Sequence, residues 1–446
     1  MSTDAALTQF IDFLRFGSIS TDPEYKNQVN ACADWLVAKL KAISLDTQLH
    51  ATAGHPVVVA RGPRKEGRPT VLIYGHYDVQ PVDPLDLWKR PPFNPAVENG
   101  LITARGASDN KGQIFAHILG LEQTLKETGD LPVNVIVLVE GEEEIGSPNL
   151  APFLKAHRDE LASDVVIISD SSMVAPGVPT FTYGLRGIAA IEVTLTGPDH
   201  DLHSGLFGGA VENPVTVLAR LIAGLHDKNL KVKLNGFYDG VKPLAPWERR
   251  AWKKLPLNEA ALLKISGAPA LRGEKGFTPV ERIWARPTAE VNGFGGGYQG
   301  EGTKTVLPSK ATAKFTFRLV PGQEPAKVIA IVEDYFRKNV PPSVKLQLSP
   351  GHAGESYVVD PHAGFGAAAQ KALGRLFPGQ KPALIREGGS IPIAADFKHI
   401  LNADTLLLGL ALPDCNMHSP NETFPVAHLE LGARLNRYVL EEIAAR

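Results

Sequence analysis

Residues 70–81 read TVLIYGHYDVQP and join a strand pattern to a polar, histidine-bearing turn. TVLIY is a short β-branched and aromatic run, the pattern of a buried strand, and GHYDVQP follows at once, setting His76 and Asp78 two residues apart. In α/β proteins, residues just past the C-terminal ends of strands line the crevice where chemistry takes place. For the heptad alone two readings are open: His76 ligates a metal while Asp78 fixes its ring, or His76 caps a strand in a surface turn and Asp78 bonds backbone. The rest of the chain has to decide.

Outward from the heptad, the first third alternates short apolar strands, expected at 57–60, 70–74, 133–139 and 165–169, with helices expected at 27–43, 112–128 and 148–157. This alternation predicts an α/β fold with a mixed, mostly parallel sheet covered by helices on both faces. From about Gly187 the texture changes: 188–196 alternates like a half-exposed antiparallel strand, 214–226 is helical, and a Lys-, Pro- and Trp-bearing stretch runs to about Pro287. A strand at 311–319 and a helix at 325–338 complete a sheet-plus-helices unit ending near Gly354; helices at 364–376 and 427–444 and a strand at 405–410 then restore the first texture. The expected organisation is a catalytic domain in two parts, 1–186 and 355–446, interrupted by an inserted α+β domain at 187–354. The Gly-rich GFGGGYQGEG at 293–302 reads as a loop, because it lacks the strand-to-helix context of a nucleotide fingerprint.

A chain of 446 residues with 43% hydrophobic and 21% charged residues suits a two-domain globular protein. A formal net charge of −2 and the lack of a Lys/Arg run give no pull toward nucleic acid or anionic membrane, so small molecules are the expected partners. Two cysteines, Cys32 and Cys415, supply neither a disulfide framework nor a Cys-based zinc finger. No apolar run approaches the ~20 residues of a membrane span, and the start MSTDAALTQFIDFLRF lacks a secretory pattern. A cytoplasmic location is expected.

Four further segments hold potential ligands at or just beyond predicted strand ends: RGASDNKG with Asp109, EGEEEIGS with Glu143 and Glu144, IISD with Asp170, and CNMHSPNE with His418. Carboxylates gathered without basic neighbours repel one another unless cations sit among them. Asp109, Glu144 and Asp170 with two neutral imidazoles supply three negative charges against the four positive charges of two divalent ions, and a bridging hydroxide completes neutrality. Imidazole and carboxylate suit zinc first, with manganese or cobalt as substitutes. If Asp109 bridges, His76 and Asp170 complete one metal and Glu144 and His418 the other, each keeping an open position for water. Glu143, unable to point the same way as Glu144, is the natural general base toward that water. Taken singly, each piece has a plainer reading: a solvated acidic loop at 140–144, Asp109 capping the helix that begins near Gly112, His418 bonding a backbone carbonyl.

The motifs GHYDVQP, RGASDNKG, EGEEEIGS, TYGLRG, DLHSG, FRLVPG, REGGSIP and MHSPNE, in this order, resemble those of the carnosinase-like metallodipeptidases, within the wider group of two-zinc aminoacylases, carboxypeptidases and desuccinylases. The resemblance covers nearly the whole chain. It implies a zinc-peptidase-like catalytic domain interrupted by a lid that also forms a homodimer. It assigns His76, Asp109, Glu144, Asp170 and His418 as metal ligands with Asp109 bridging, Asp78 as the acid orienting His76, and Glu143 as general base. It further implies that His203 reaches the partner subunit's active site to stabilise an oxyanion, and that Arg318, with Thr305 and Ser390, holds the substrate's C-terminal carboxylate. The stretch 235–287 lengthens the lid in the manner of the dipeptidase branch. The expected activity is hydrolysis of dipeptides or short peptides with a free carboxy terminus; the alternative is a deacylase of acylated amino acids with the same chemistry. A serine hydrolase is not expected, since no GxSxG elbow is present.

Overall fold

The computed structural model describes residues 3–446. The chain divides into two compact units: one comprises the segments up to Tyr183, Val359–Ile385 and Ile393–Arg446, the other Gly184–Val358 and Arg386–Pro392.

The first unit is built on a mixed sheet. Its centre is four parallel strands in the order Asn134–Glu140, Thr70–His76, Val165–Ile168, Asp404–Leu408. Antiparallel strands extend it on both sides: Val57–Arg61 and then Asp46–His50 beyond the first, and Thr180–Leu185 beyond the last. All seven residues of Asn134–Glu140 and all four of Val165–Ile168 are buried. Because successive side chains point to opposite faces, unbroken burial means both faces are covered, which is why these strands read as continuous apolar runs. Helices Lys26–Ala42 and Lys111–Thr128 pack against the sheet, and Ala427–Ala444 packs on Lys111–Thr128 and Gly364–Leu376.

Gly75 sits where only glycine fits. A Cβ there would lie 2.7 Å from Asn110 Oδ1 and 3.0 Å from Ile114 Cβ. The bare backbone lets the segment before helix Lys111–Thr128 close against the end of strand Thr70–His76, which brings Asp109 toward His76.

The second unit is a four-stranded antiparallel sheet in the order Thr288–Gly296, Lys310–Leu319, Gly187–Thr196, Lys345–Gly354. Strand Lys310–Leu319 alternates: Ala311, Ala313, Phe315, Phe317 and Leu319 are buried in a core with Leu218 and Leu221 of helix Pro214–Ala223 and Val332 and Phe336 of helix Pro325–Asn339. Thr316 and Arg318 therefore lie on the opposite face. Helices Pro246–Trp252, Glu259–Ser266 and Pro279–Ala285 fill the long stretch before the first edge strand. One expectation is corrected: Gly293 to Gly296 do not belong to a loop but end the edge strand Thr288–Gly296, after a bulge between Val291 and Gly293. Glycines carry no side chains to mark alternation, so their pairing was invisible to pattern.

Candidate metal centre

His76 is the last residue of strand Thr70–His76 and is fully buried. Its Nδ1 lies 3.1 Å from the backbone carbonyl oxygen of Asp78, with Asp78 Oδ1 at 3.4 Å. A carbonyl only accepts, so Nδ1 carries the proton and the Nε2 lone pair points away, toward Asp109 Oδ1 at 3.1 Å and Asp170 Oδ2 at 3.5 Å. Acceptor facing acceptor needs positive charge between them, either a second proton on the ring or a cation. Without a cation the ring takes the proton. Burial pushes the His76 imidazole down, but hydrogen bonds with Asp109, Asp170 and Asp78 outweigh it and hold the ring well above the usual histidine range.

Asp109 is placed between the two histidines. Its Oδ1 faces His76, and its Oδ2 lies 2.7 Å from His418 Nε2, which is also 3.4 Å from Glu144 Oε2. Burial would raise the Asp109 carboxyl, yet the hydrogen bonds from His418 and His76 hold it well below the ordinary range. The plainer reading of Asp109 as a helix cap does not hold: Asn110 occupies the cap position of helix Lys111–Thr128 and makes no side-chain cap bond.

Glu143 and Glu144 lie in the tight turn Glu143–Ile145. Asp78 pins this turn, its Oδ1 accepting from the Glu143 N–H at 3.2 Å and its Oδ2 from the Glu144 N–H at 3.1 Å. Asp78 thus holds the acid-bearing turn as well as lying beside the His76 ring, a second task the heptad did not reveal. Burial pushes the Glu144 carboxyl up to about 10, with the Asp109 charge adding to it. Burial likewise raises Glu143 well above the glutamate range; His76 opposes this, and Asp170 and Asp109 reinforce it. Glu144 Oε1 is buried and has no hydrogen-bond partner among the described residues. Two sets, His76 with Asp109 and Glu144, and His76 with Glu143 and Asp170, each keep their ligating atoms within 4.8 Å of one another. A buried orphan acceptor, facing acceptors and carboxyls forced toward protonation are relieved together by divalent cations, so this donor set fits a metal centre.

Glu422, to which sequence reasoning gives no role, ties the centre together. Fully buried, it accepts from Arg105 Nη1 at 2.8 Å, from the Gly106 N–H at 2.9 Å, and from the N–H and hydroxyl of Ser108 at 2.7 and 3.1 Å. Arg105 Nη2 donates in turn to the Pro81 carbonyl at 3.0 Å. The loop carrying Asp109, the end of the opening heptad and the turn carrying His418 are thereby locked to one another. The only trace in the sequence is the acid four residues after His418.

The remaining candidates lie in the second unit. His203 is exposed and caps the short helix Ser204–Phe207; its Nδ1 accepts from the Gly205 N–H at 3.0 Å, which leaves Nε2 as an N–H donor. Thr305 is exposed, next to Val306, which pairs with His203, and its carbonyl accepts from the Ser204 N–H. Arg318 Nη1 donates to Ser390 Oγ at 3.0 Å, so two candidates drawn from segments far apart in sequence are in contact.

A model of Peptidase family M20/M25/M40 matches residues 72–442. The chain is 31% identical over 459 residues to the Cys-Gly metallodipeptidase dug1 of Schizosaccharomyces pombe, covering 99% of this chain and 96% of that protein. It is 32% identical over 373 residues to the Beta-Ala-His dipeptidase of Homo sapiens, covering 82% and 73% respectively. Among solved structures, the M20 family metallo-carboxypeptidase Sso-CP2 from Sulfolobus solfataricus superposes with a TM-score of 0.89 at 32% identity, over 99% of each chain. The chain belongs to Peptidase family M20/M25/M40.

Proposed function

We propose that this protein hydrolyses dipeptides, or short peptides with a free C-terminal carboxylate, with two divalent metal ions bound. The observation that carries the reading is that the two oxygens of Asp109 face His76 on one side and His418 on the other, with the turn bearing Glu143 and Glu144 pinned beside them. Asp109 would be shared between the ions; His76 and Asp170 complete one set, Glu144 and His418 the other. When bound, the ions neutralise these carboxylates and stabilise the negative charge that grows on the oxygen of the attacked carbonyl. Zinc suits the imidazole and carboxylate donors, with manganese and cobalt as alternatives.

Asp78 keeps Nε2 of His76 free for a metal by holding the proton at Nδ1. The Glu143 carboxylate takes a proton from the attacking water and gives it to the peptide nitrogen as the C–N bond breaks, so the products are a carboxylate and a free amine. His203 donates from Nε2 to the oxygen of the tetrahedral intermediate, reaching it from the partner subunit of a homodimer formed through the second unit. Arg318 holds the substrate's C-terminal carboxylate by a charge-assisted bond, with Ser390 and Thr305 beside it. The relatives named above, a Cys-Gly and a Beta-Ala-His dipeptidase, support the substrate class. No helix of the described residues is long and apolar enough to cross a membrane, and both cysteines are unpaired, which fits a cytoplasmic enzyme.

The test is an assay of the protein supplied in turn with zinc, manganese and cobalt, against dipeptides including β-alanyl and D-residue forms and against acylated amino acids. Turnover of dipeptides is expected; activity confined to acylated amino acids would replace this reading with the deacylase one. Glu422→Gln keeps the shape but leaves one oxygen for four donors. It is expected to weaken metal binding by about 10–100-fold, measured by titration calorimetry, as is usual for residues that orient ligands. Binding as tight as in the unaltered protein would show that Glu422 does not position the two ligand-bearing loops.

A further inference from the structure

Beside Arg318 stands a second guanidinium that the proposed reaction does not use. Arg186, from the TYGLRG motif, is 9% exposed. Its Nε donates to the Gly388 carbonyl at 3.0 Å and its Nη1 to the Arg286 carbonyl at 3.3 Å. Ser390 joins the two arginines, accepting from Arg318 Nη1 and donating to the Arg186 carbonyl at 2.6 Å. The backbone is kept bare to admit this packing: a Cβ on Gly388 would lie 2.9 Å from Arg186 Nη2 and 3.0 Å from the Ile283 carbonyl.

Both arginines line one pocket of about 520 Å³. Arg272, Arg282 and Arg286 line it too, against two acids, Glu274 and Glu290. Glu274 is already engaged, receiving Arg286 Nε at 2.7 Å and Nη2 at 2.8 Å. Among the described residues no carboxylate lies within ion-pairing distance of Arg186, Arg272, Arg282 or Arg318. Burial, with the Arg318 charge adding to it, lowers the Arg186 guanidinium to about 10, so it still carries its charge at neutral pH. A concave pocket of guanidiniums with carbonyl partners but too few carboxylates is a site for an anion.

We propose that this pocket selects peptides whose C-terminal residue is itself acidic, the side-chain carboxylate of aspartate or glutamate being taken by Arg186 and Arg282 while Arg318 holds the main-chain carboxylate. The inference rests on the dipeptidase reading and on the place given there to Arg318. It adds a specificity: a doubly anionic C-terminal residue, for which a planar two-pronged donor is suited.

The experiment compares kcat/KM of the metal-loaded full-length protein for alanyl-glutamate and alanyl-glutamine, which differ in charge and hardly in shape. The acidic substrate is expected to be favoured by about 10–100-fold, the worth of a charge-assisted hydrogen bond. Arg186→Met and Arg282→Met bring that ratio toward one, whereas Arg186→Lys, which keeps the charge, retains part of it and controls for loss of the fold. Equal rates on the two substrates, or a preference that survives both methionine variants, overturn the proposal. Titration calorimetry with free glutamate against free glutamine reads the pocket without turnover. Tighter binding of glutamate supports it and equal binding overturns it, so a protein that cleaves no dipeptide would defeat the dipeptidase reading while leaving the pocket judged on its own.

Discussion

Replacing Glu143 with glutamine lowers kcat on a dipeptide by about 10²–10⁴-fold, the usual worth of a positioned general base, while KM and bound metal stay as in the unaltered protein. The side chain keeps its size, and its backbone N–H remains tied to Asp78 Oδ1 at 3.2 Å, so the turn that carries Glu144 is left in place. What is lost is the ability to take up a proton within a cluster that also holds His76 and Asp170. Steady-state kinetics with metal analysis of the same sample makes the check. A glutamine variant that turns over normally would leave the proton transfer to another group, and one that has lost its metal would make Glu143 a ligand instead of a base.

The second large effect belongs to Asp109. No other carboxylate in the first unit faces both His76, at 3.1 Å, and His418, at 2.7 Å, among the ion pairs of the described residues. In Asp109→Asn one oxygen becomes an NH₂ group, which neither bridges cations nor offsets their charge. Activity is expected to fall by at least about 10³-fold, in line with the several kcal/mol that metal ions contribute to such transition states. The same loss is expected when a chelator strips the unaltered protein. A second readout is independent of turnover. Metal at 100 times its dissociation constant stabilises a folded protein by about 2.7 kcal/mol, so added zinc should raise the melting temperature of the stripped protein and leave that of Asp109→Asn unmoved. A variant still stabilised by zinc to the same degree would show that Asp109 does not hold the ions.

Much of the fold is legible by eye. The helix expected at 364–376 is Gly364–Leu376 and that at 427–444 is Ala427–Ala444, since a 3.6-residue apolar repeat records which face of a helix is covered. The central strands are equally plain, because burial on both faces leaves continuous apolar runs. Among the strands that escape notice are Asp46–His50, mostly exposed, and Lys345–Gly354, interrupted by Pro350 and Gly351. Both lie at sheet edges, where pairing with one neighbour is enough and the side chains record little of it.

The candidate site divides in the same way. The residue types that suit two divalent cations, His76, Asp109, Glu143, Glu144, Asp170 and His418, stand in recognisable segments after strands, and metal chemistry limits which side chains can occupy such places. Residue types and local pattern therefore point to the kind of chemistry and to the elements that carry it. That Asp109 faces two histidines, that Asp78 clamps the turn of Glu143 and Glu144, and that Glu422 locks the Asp109 loop through Arg105, 317 residues away along the chain, is visible in the folded chain alone. The physical reason is range: periodicity and turn chemistry act over a few residues, whereas these contacts exist only after the sheet has brought the ends of its strands together.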